Sequence, residues 1–129
     1  MPVVAGFVPT PEGRAALDSA IAEATRRGLK LVVVAHERRG TESATLAAAV
    51  AEAESTLSQT TLEHEVRQSA GSDVAEDLMQ VAEQLDAELI VIGLRRRSPV
   101  GKLILGSNAQ RVLLDATCPV LAVKPARTA

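Results

Sequence analysis

Aromatic side chains are nearly missing from this sequence: Phe7 is the only one, and there is neither tryptophan nor tyrosine. Proteins that hold single-stranded nucleic acid stack its bases on such rings, so a base-stacking platform is excluded. Cysteine is equally scarce. Cys118 stands alone, which rules out an intramolecular disulfide and a cysteine-based zinc cluster and leaves a small core residue as its expected role. No apolar run approaches the ~18 residues of a membrane span. The first residues also lack a basic segment followed by an apolar run and a cleavage site, so the chain is expected to be neither membrane-spanning nor secreted, but cytoplasmic. A positive surplus is absent too: 14 basic side chains stand against 16 acidic ones, for a formal net charge of −2. Nothing in that balance calls for nucleic acid or an anionic membrane as a partner.

What is present is enough apolar material for one core. The chain has 129 residues, 47% of them hydrophobic, and is expected to form a single domain over residues 1–129, with a short frayed tail from Pro125 to Ala129. Four valine-rich runs, 2–8, 30–36, 88–94 and 118–124, read as buried strands. Between them lie stripes with helical spacing. Ala16, Leu17, Ala20, Ile21 and Ala24 form the first, and Leu46, Val50, Ala53 and Leu57 the second. Val74, Leu78, Val81 and Leu85 form the third; Ala109, Val112, Leu113 and Ala116 form a shorter fourth. In residues 61–67, Leu62, His64 and Val66 alternate with Glu63, Glu65 and Arg67, the two-residue period of an edge strand wet on one face. Thr10 with Pro11 behind it, Thr41 and Ser72 are candidate N-caps, and Gly28 a candidate helix stop. The pattern β-α-β-α-β-α-β-α-β predicts an α/β fold, an open five-stranded parallel sheet with helices on both faces.

Ligands of such sheets bind beyond the carboxyl ends of the strands. The loops there hold Val8, Pro9 and Thr10; His36 to Gly40; Arg67 and Gln68; and Leu94 to Lys102. Six of the eleven arginines, Arg38, Arg39, Arg67, Arg95, Arg96 and Arg97, fall in them, and residues 95–111 contain no acid. An acidic chain with a basic rim predicts an anionic small molecule. Gly106 and Ser107, followed by Asn108, stand where the fourth helix begins. Unpaired backbone N–H groups and the helix dipole favour an anion there by roughly 0.3–1 kcal/mol, glycine permits close approach, and the serine hydroxyl adds a donor. This is chemistry for phosphate.

The stretch "VIGLRRRSPVGKLILGSNAQRVLLDATCPVLAVKP" (91–125), with "VVAGFVPTPEGRAALDSAI" (3–21), resembles the universal stress protein family along the whole chain. The resemblance implies a Rossmann-like sheet of order 3-2-1-4-5. It also implies ATP or AMP as ligand, with Mg left open and nothing covalently bound. Members that bind ATP carry G-x2-G-x9-G-[ST]; Gly93, Gly106 and Ser107 match, and Arg96 takes the place of the second glycine. Val8 and Pro9 stand where an acid and a glycine are usual, and Val34 and Ala35 where adenine is held. The nucleotide site implied is therefore Val8, Pro9, Thr10, Val34, Ala35, Gly93, Arg95, Arg96, Arg97, Gly106, Ser107 and Asn108. The family is similar in forming homodimers through its last strand, here Pro119, Val120, Leu121, Ala122, Val123 and Lys124. The departures keep open a second role, an interaction module that has lost nucleotide and offers its basic loop to an acidic protein.

Catalysis has weaker support. His36 and Glu37 are the best-placed acid–base candidates and His64 a poorer one, the Walker pattern is missing, and no acid pair ends the first strand. The expectation is a non-enzyme without a metal, regulatory in function, whose protein partner the sequence does not name.

Overall fold

The computed structural model describes residues 1–36, 43–69, 73–97 and 102–125. In chain order the elements are β1 (Val3–Phe7), α1 (Pro11–Arg27), β2 (Leu31–Ala35), α2 (Ser43–Ser58), β3 (His64–Gln68), α3 (Val74–Gln84), β4 (Leu89–Gly93), β5 (Arg95–Arg97), β6 (Lys102–Ile104), α4 (Ser107–Asp115) and β7 (Val120–Val123). Five strands form one parallel sheet in the order β3-β2-β1-β4-β7, the expected 3-2-1-4-5. The connection between β4 and α4 was expected as loop. It is instead a small antiparallel pair, β5 with β6, in which Arg96 lies opposite Leu103.

Side chains alternate across a strand, and the two sets find different helices. Val3, Ala5, Phe7, Val33 and Val91 pack against Ala16, Leu17, Ala20 and Ala24 of α1 and Ala49, Ala53 and Leu57 of α2. Val4, Val32, Val34, Ile90 and Ile92 pack against Ala75, Leu78 and Ala82 of α3 and Val112 of α4. Each fully buried valine, leucine or isoleucine contributes about 1.5–3 kcal/mol, so burial on both faces is what holds the central strands. Three stripes differ from expectation. On α2 the buried residues are Ala49, Ala53 and Leu57, with Leu46 and Val50 half-buried. On α3 the buried residues are Ala75, Leu78 and Ala82, because small side chains let the helix approach the sheet, while Val74, Val81 and Leu85 flank the contact half-buried. On α4 only Val112 is buried and Leu113 is 40% exposed. Cys118 is half-buried at the edge of the second cluster rather than inside it.

The strand that reads as an edge is one. β3 starts three residues later than the alternation suggested and ends one later, and it sits beside β2 with Val66 on the α2 side. By the same alternation Glu65 and Arg67 share the other face with Val32 and Val34.

The helix ends have local causes. Thr10 Oγ1 accepts the Gly13 N–H at 3.2 Å with Pro11 at the first helical position, and Gly28, at φ 66°, closes α1 in the left-handed conformation. The N-cap of α3 is Asp73 and not Ser72: its carboxylate accepts the Glu76 N–H at 3.1 Å. Ser72 and Thr41 lie outside the described residues, as do residues 126–129 of the tail.

Two glycines are dictated by packing. A Cβ on Gly13 would lie 1.8 Å from the Val8 carbonyl oxygen, and one on Gly93 would lie 2.3 Å from the Glu12 carbonyl oxygen. Both contacts are with backbone, which cannot swing away. Gly106 differs, since its Cβ would meet only Arg95 Nη2 at 3.5 Å and its φ of −64° suits any residue. Gly13→Ala and Gly93→Ala are therefore expected to destabilise the fold by about 1–3 kcal/mol each in urea unfolding, and Gly106→Ala by less than about 0.5 kcal/mol. A Gly93→Ala protein as stable as wild type would contradict the packing account.

Candidate functional site

From β1 the chain moves outward to β2, and from β4 it moves the other way to β7, although β1 and β4 are neighbours. This reversal opens a crevice at their carboxyl ends. Gly93 closes its floor, because without a side chain it lets the first turn of α1 lie against the end of β4. The β1–α1 turn is thereby brought beside the residues leading to α4. Within that turn the Thr10 N–H donates to the Val8 carbonyl at 2.8 Å. Thr10 spends an acceptor site on its cap, and its O–H donor is left for a ligand. Val8 and Pro9, both half-buried, bring no charged or hydrogen-bonding side chain to the crevice.

The other wall is the start of α4. Gly106 is its N-cap, no side chain caps it, no acid lies in its first turn, and the first intrahelical bond runs from the Gln110 N–H to the Gly106 carbonyl at 2.9 Å. The N–H groups of Ser107, Asn108 and Ala109 thus have no partner within the helix. Ser107 and Asn108 are exposed. Arg95 reaches back from β5 so that Nη2 lies 3.5 Å from where a Gly106 Cβ would be. A cation at the positive end of a helix is repelled by the dipole unless an anion joins them. Among the described residues Arg95 has no carboxylate partner.

Of the six arginines expected at this end, the side chains of Arg67 and Arg95 are described, and their surroundings differ. Arg67 is ion-paired with Glu65, which also meets Lys30 at 3.5 Å, and the Arg67 side chain holds the Glu65 carboxyl below the usual carboxylate range. Arg38 and Arg39 lie outside the described residues, as does Glu37. Of Arg96 and Arg97 the backbone is described, and it is extended strand. That conformation needs no glycine, so a side chain at position 96 is compatible with the fold.

Val34 and Ala35, expected together, point to opposite faces. Ala35 is in the α1–α2 core. Val34 lines a cavity of about 250 Å³ between the ends of β2 and β3 and the start of α3, with Gln68, Ser69, Asp77, Gln80 and Val81. Ser69 Oγ donates to Asp77 Oδ2 at 2.5 Å. A second cavity of about 280 Å³, between α3 and α4, holds the carboxylates of Glu76, Glu83 and Asp115. Its one arginine, Arg111, donates to both oxygens of Asp73 at 2.7 Å and to Glu76 at 3.3 Å. That cavity suits no anion.

Of the catalytic candidates, His36 and His64 lie at opposite ends of the β2–β3 pair. The His36 N–H donates to the Phe7 carbonyl at 3.0 Å, extending the sheet, with its ring over Gly6. His64, on the far edge, has Nδ1 2.9 Å from the Leu62 carbonyl. Among the described residues no three histidine, cysteine or acidic side chains stand close enough to hold a metal ion, and no helix is long and apolar enough to cross a membrane. Burial raises the Cys118 thiol, which opposes formation of the nucleophilic thiolate.

Sequence reasoning missed two features. The β5–β6 pair was signalled only by Pro99 and Gly101 between two short runs. The cavity beside α3 was signalled by Asp77, Gln80 and Val81, whose i, i+3, i+4 spacing places them on one helix face.

Arg111 first, and the Glu76 N–H second, hold the Asp73 carboxyl below its ordinary range. A carboxylate whose folded pKa is depressed stabilises the fold above its unfolded pKa and loses that effect as pH falls through the folded one. Wild type is thus expected to exceed Asp73→Asn in urea unfolding at neutral pH, with the difference fading in acid below the ordinary aspartate range. A difference independent of pH would contradict the ion pair.

Comparison with known proteins agrees with the fold. The family model described as the universal stress protein family matches residues 1–124. A universal stress protein of Mycolicibacterium smegmatis is 43% identical over 126 residues, 95% of this chain and 97% of that protein. The structure of a universal stress protein from Archaeoglobus fulgidus superposes with a TM-score of 0.81 at 32% identity, covering 96% of this chain and 98% of that one. A structure of the Archaeoglobus fulgidus universal stress protein in complex with dAMP gives 0.75 at 26% identity, with the same coverage. None of these relatives has an enzyme's name.

Proposed function

The chain belongs to the universal stress protein family, and from that premise we propose that it is a dimeric, cytoplasmic regulatory protein that binds an adenine nucleotide, ATP or AMP. The observation that carries this reading is Arg95 set against the uncapped start of α4. The phosphate accepts from the Ser107, Asn108 and Ala109 N–H groups, the Ser107 hydroxyl and Arg95, with Arg96 and Arg97 adding charge on the same connection. Gly106 keeps the approach open, and Thr10 supplies a donor from the opposite wall. The base lies toward Val34, the ribose between, over Val8, Pro9 and Gly93. The dAMP bound by the Archaeoglobus fulgidus relative is support from a protein of the same fold. The reading involves no catalysis and no metal, and it assigns no role to nucleic acid or membrane.

Added AMP or ATP is expected to raise the melting temperature, as any ligand of the native state does. The rise should shrink in Ser107→Ala and Arg95→Ala, and in wild type at high salt, because the contact is charge-assisted and exposed. Undiminished stabilisation in both variants would contradict the phosphate site. Val8, apolar where the family usually has an acid, favours a second reading, an interaction module whose basic hairpin meets an acidic protein. No stabilisation by either nucleotide would leave that one standing.

The dimer forms through Pro119 to Lys124. Pro119 and Val123 carbonyls accept from the Ile90 and Leu94 N–H groups at 3.0 and 2.8 Å. By alternation the backbone groups of Val120, Ala122 and Lys124 point away from β4, to an edge that carries no further strand among the described residues. Leu113 lies about 200° round α4 from Arg111; it therefore faces away from α3, on the side of β7, and is 40% exposed. Two copies of this edge pair antiparallel about a twofold axis. Ala122→Pro removes an outward N–H without touching the β4 ladder and is expected to give a folded monomer by analytical ultracentrifugation. A dimer that survives it does not use this edge.

A further inference from the structure

The cavity between α3 and α4 has no part in nucleotide binding, and its charge is opposite to that of the β5–β6 hairpin. From Gln68 to Leu94 the chain carries six acids, Asp73, Glu76, Asp77, Glu83, Asp86 and Glu88, and no lysine or arginine. From Arg95 to Leu105 it carries Arg95, Arg96, Arg97 and Lys102 and no acid. A net charge of −2 thus conceals two adjoining blocks of opposite sign. Complementary potentials of this kind steer association between molecules and fix its register.

Charge alone does not make a docking surface, and here each block has apolar surface beside it. Met79 lines the groove between α3 and α4, half-buried. Leu114, one turn beyond Arg111 on the same side of α4, is 74% exposed. On the side of the hairpin, Leu105 follows β6 and is 46% exposed. Within the groove Arg111 is committed to Asp73 and Glu76, whereas Glu83 and Asp115 make no ion pair among the described residues. Arg95 makes none among them either. The hairpin leads straight into α4, one wall of the groove, so the two surfaces lie on the same side of the molecule. A twofold axis that seats the hairpin of one copy in the groove of another seats the second hairpin in the first groove at once, and the contact closes.

We propose that the groove between α3 and α4 takes the β5–β6 hairpin of a second copy of this chain, the cations opposite Glu83 and Asp115 and Leu105 against Met79 and Leu114. Sedimentation velocity without nucleotide, at rising protein concentration in low and high salt, tests this. At low salt the wild type is expected to show a species of twice the mass seen at high salt, because the contact is charge-assisted and salt screens it. The comparison holds whether or not the β7 edge also pairs. Glu83→Lys, Arg95→Glu and Leu114→Arg, all at exposed positions, are each expected to weaken the doubling by about tenfold or more, with circular dichroism verifying that they fold. Mixing the Glu83→Lys and Arg95→Glu chains is expected to restore it, since each hairpin then meets a groove of opposite charge. A wild type of one mass at all concentrations in both salts overturns the inference. So does a doubling that survives Glu83→Lys and Leu114→Arg, or a mixture that stays undoubled. Measured without nucleotide, none of these results touches the nucleotide reading.

Discussion

The contact on which the site depends is made by backbone: the first turn of α1 lies against the end of β4 at Gly93, where a Cβ would come within 2.3 Å of the Glu12 carbonyl oxygen. Gly13 makes the matching accommodation for the Val8 carbonyl at the end of β1. Together they seat α1 so that its capping turn closes one side of the crevice between β1 and β4. Arg95, Gly106 and Ser107 follow within the same connection and form the other side. A methyl group at either glycine would push the helix outward and separate walls that lie close only because nothing stands between them.

Charge is divided across the carboxyl end of the sheet. Toward β7 lie an uncapped helix start and Arg95, which has no carboxylate partner among the described residues. Toward β3 the arginine is neutralised by Glu65, and Asp77 adds negative charge. The cavity between α3 and α4 is acidic, with Arg111 committed to Asp73 and Glu76. An elongated ligand with one anionic and one neutral end fits this distribution in a single orientation. The N-cap of α3, Asp73, is ion-paired to Arg111 of α4.

Much of this was legible in the sequence. Valine-rich runs and three-and-four spacing predict the alternation of strands and helices, and the family resemblance supplies the strand order that periodicity cannot. The glycine roles were less legible. Gly93 and Gly106 read alike as phosphate glycines, yet one is demanded by packing and the other is not, a distinction that needs the position of Glu12. The buried face of α3 was misread because alanine carries little hydrophobic signal although it permits the closest approach. Ser72 and Asp73 are adjacent capping residues, and only the pairing with Arg111 decides between them. Arg67 reads as a free cation in a loop, yet the two-residue period puts Glu65 on the same face, where the two side chains pair.

The most direct measurement is the amide spectrum of the labelled protein titrated with AMP. Progressive, saturable shifts at Ser107, Asn108 and Ala109, accompanied by shifts at Ser69 and Gln80, are the predicted result, since phosphate and base would then occupy the two ends assigned to them. Shifts absent at millimolar AMP, or confined to residues away from α4 and α3, would contradict the account.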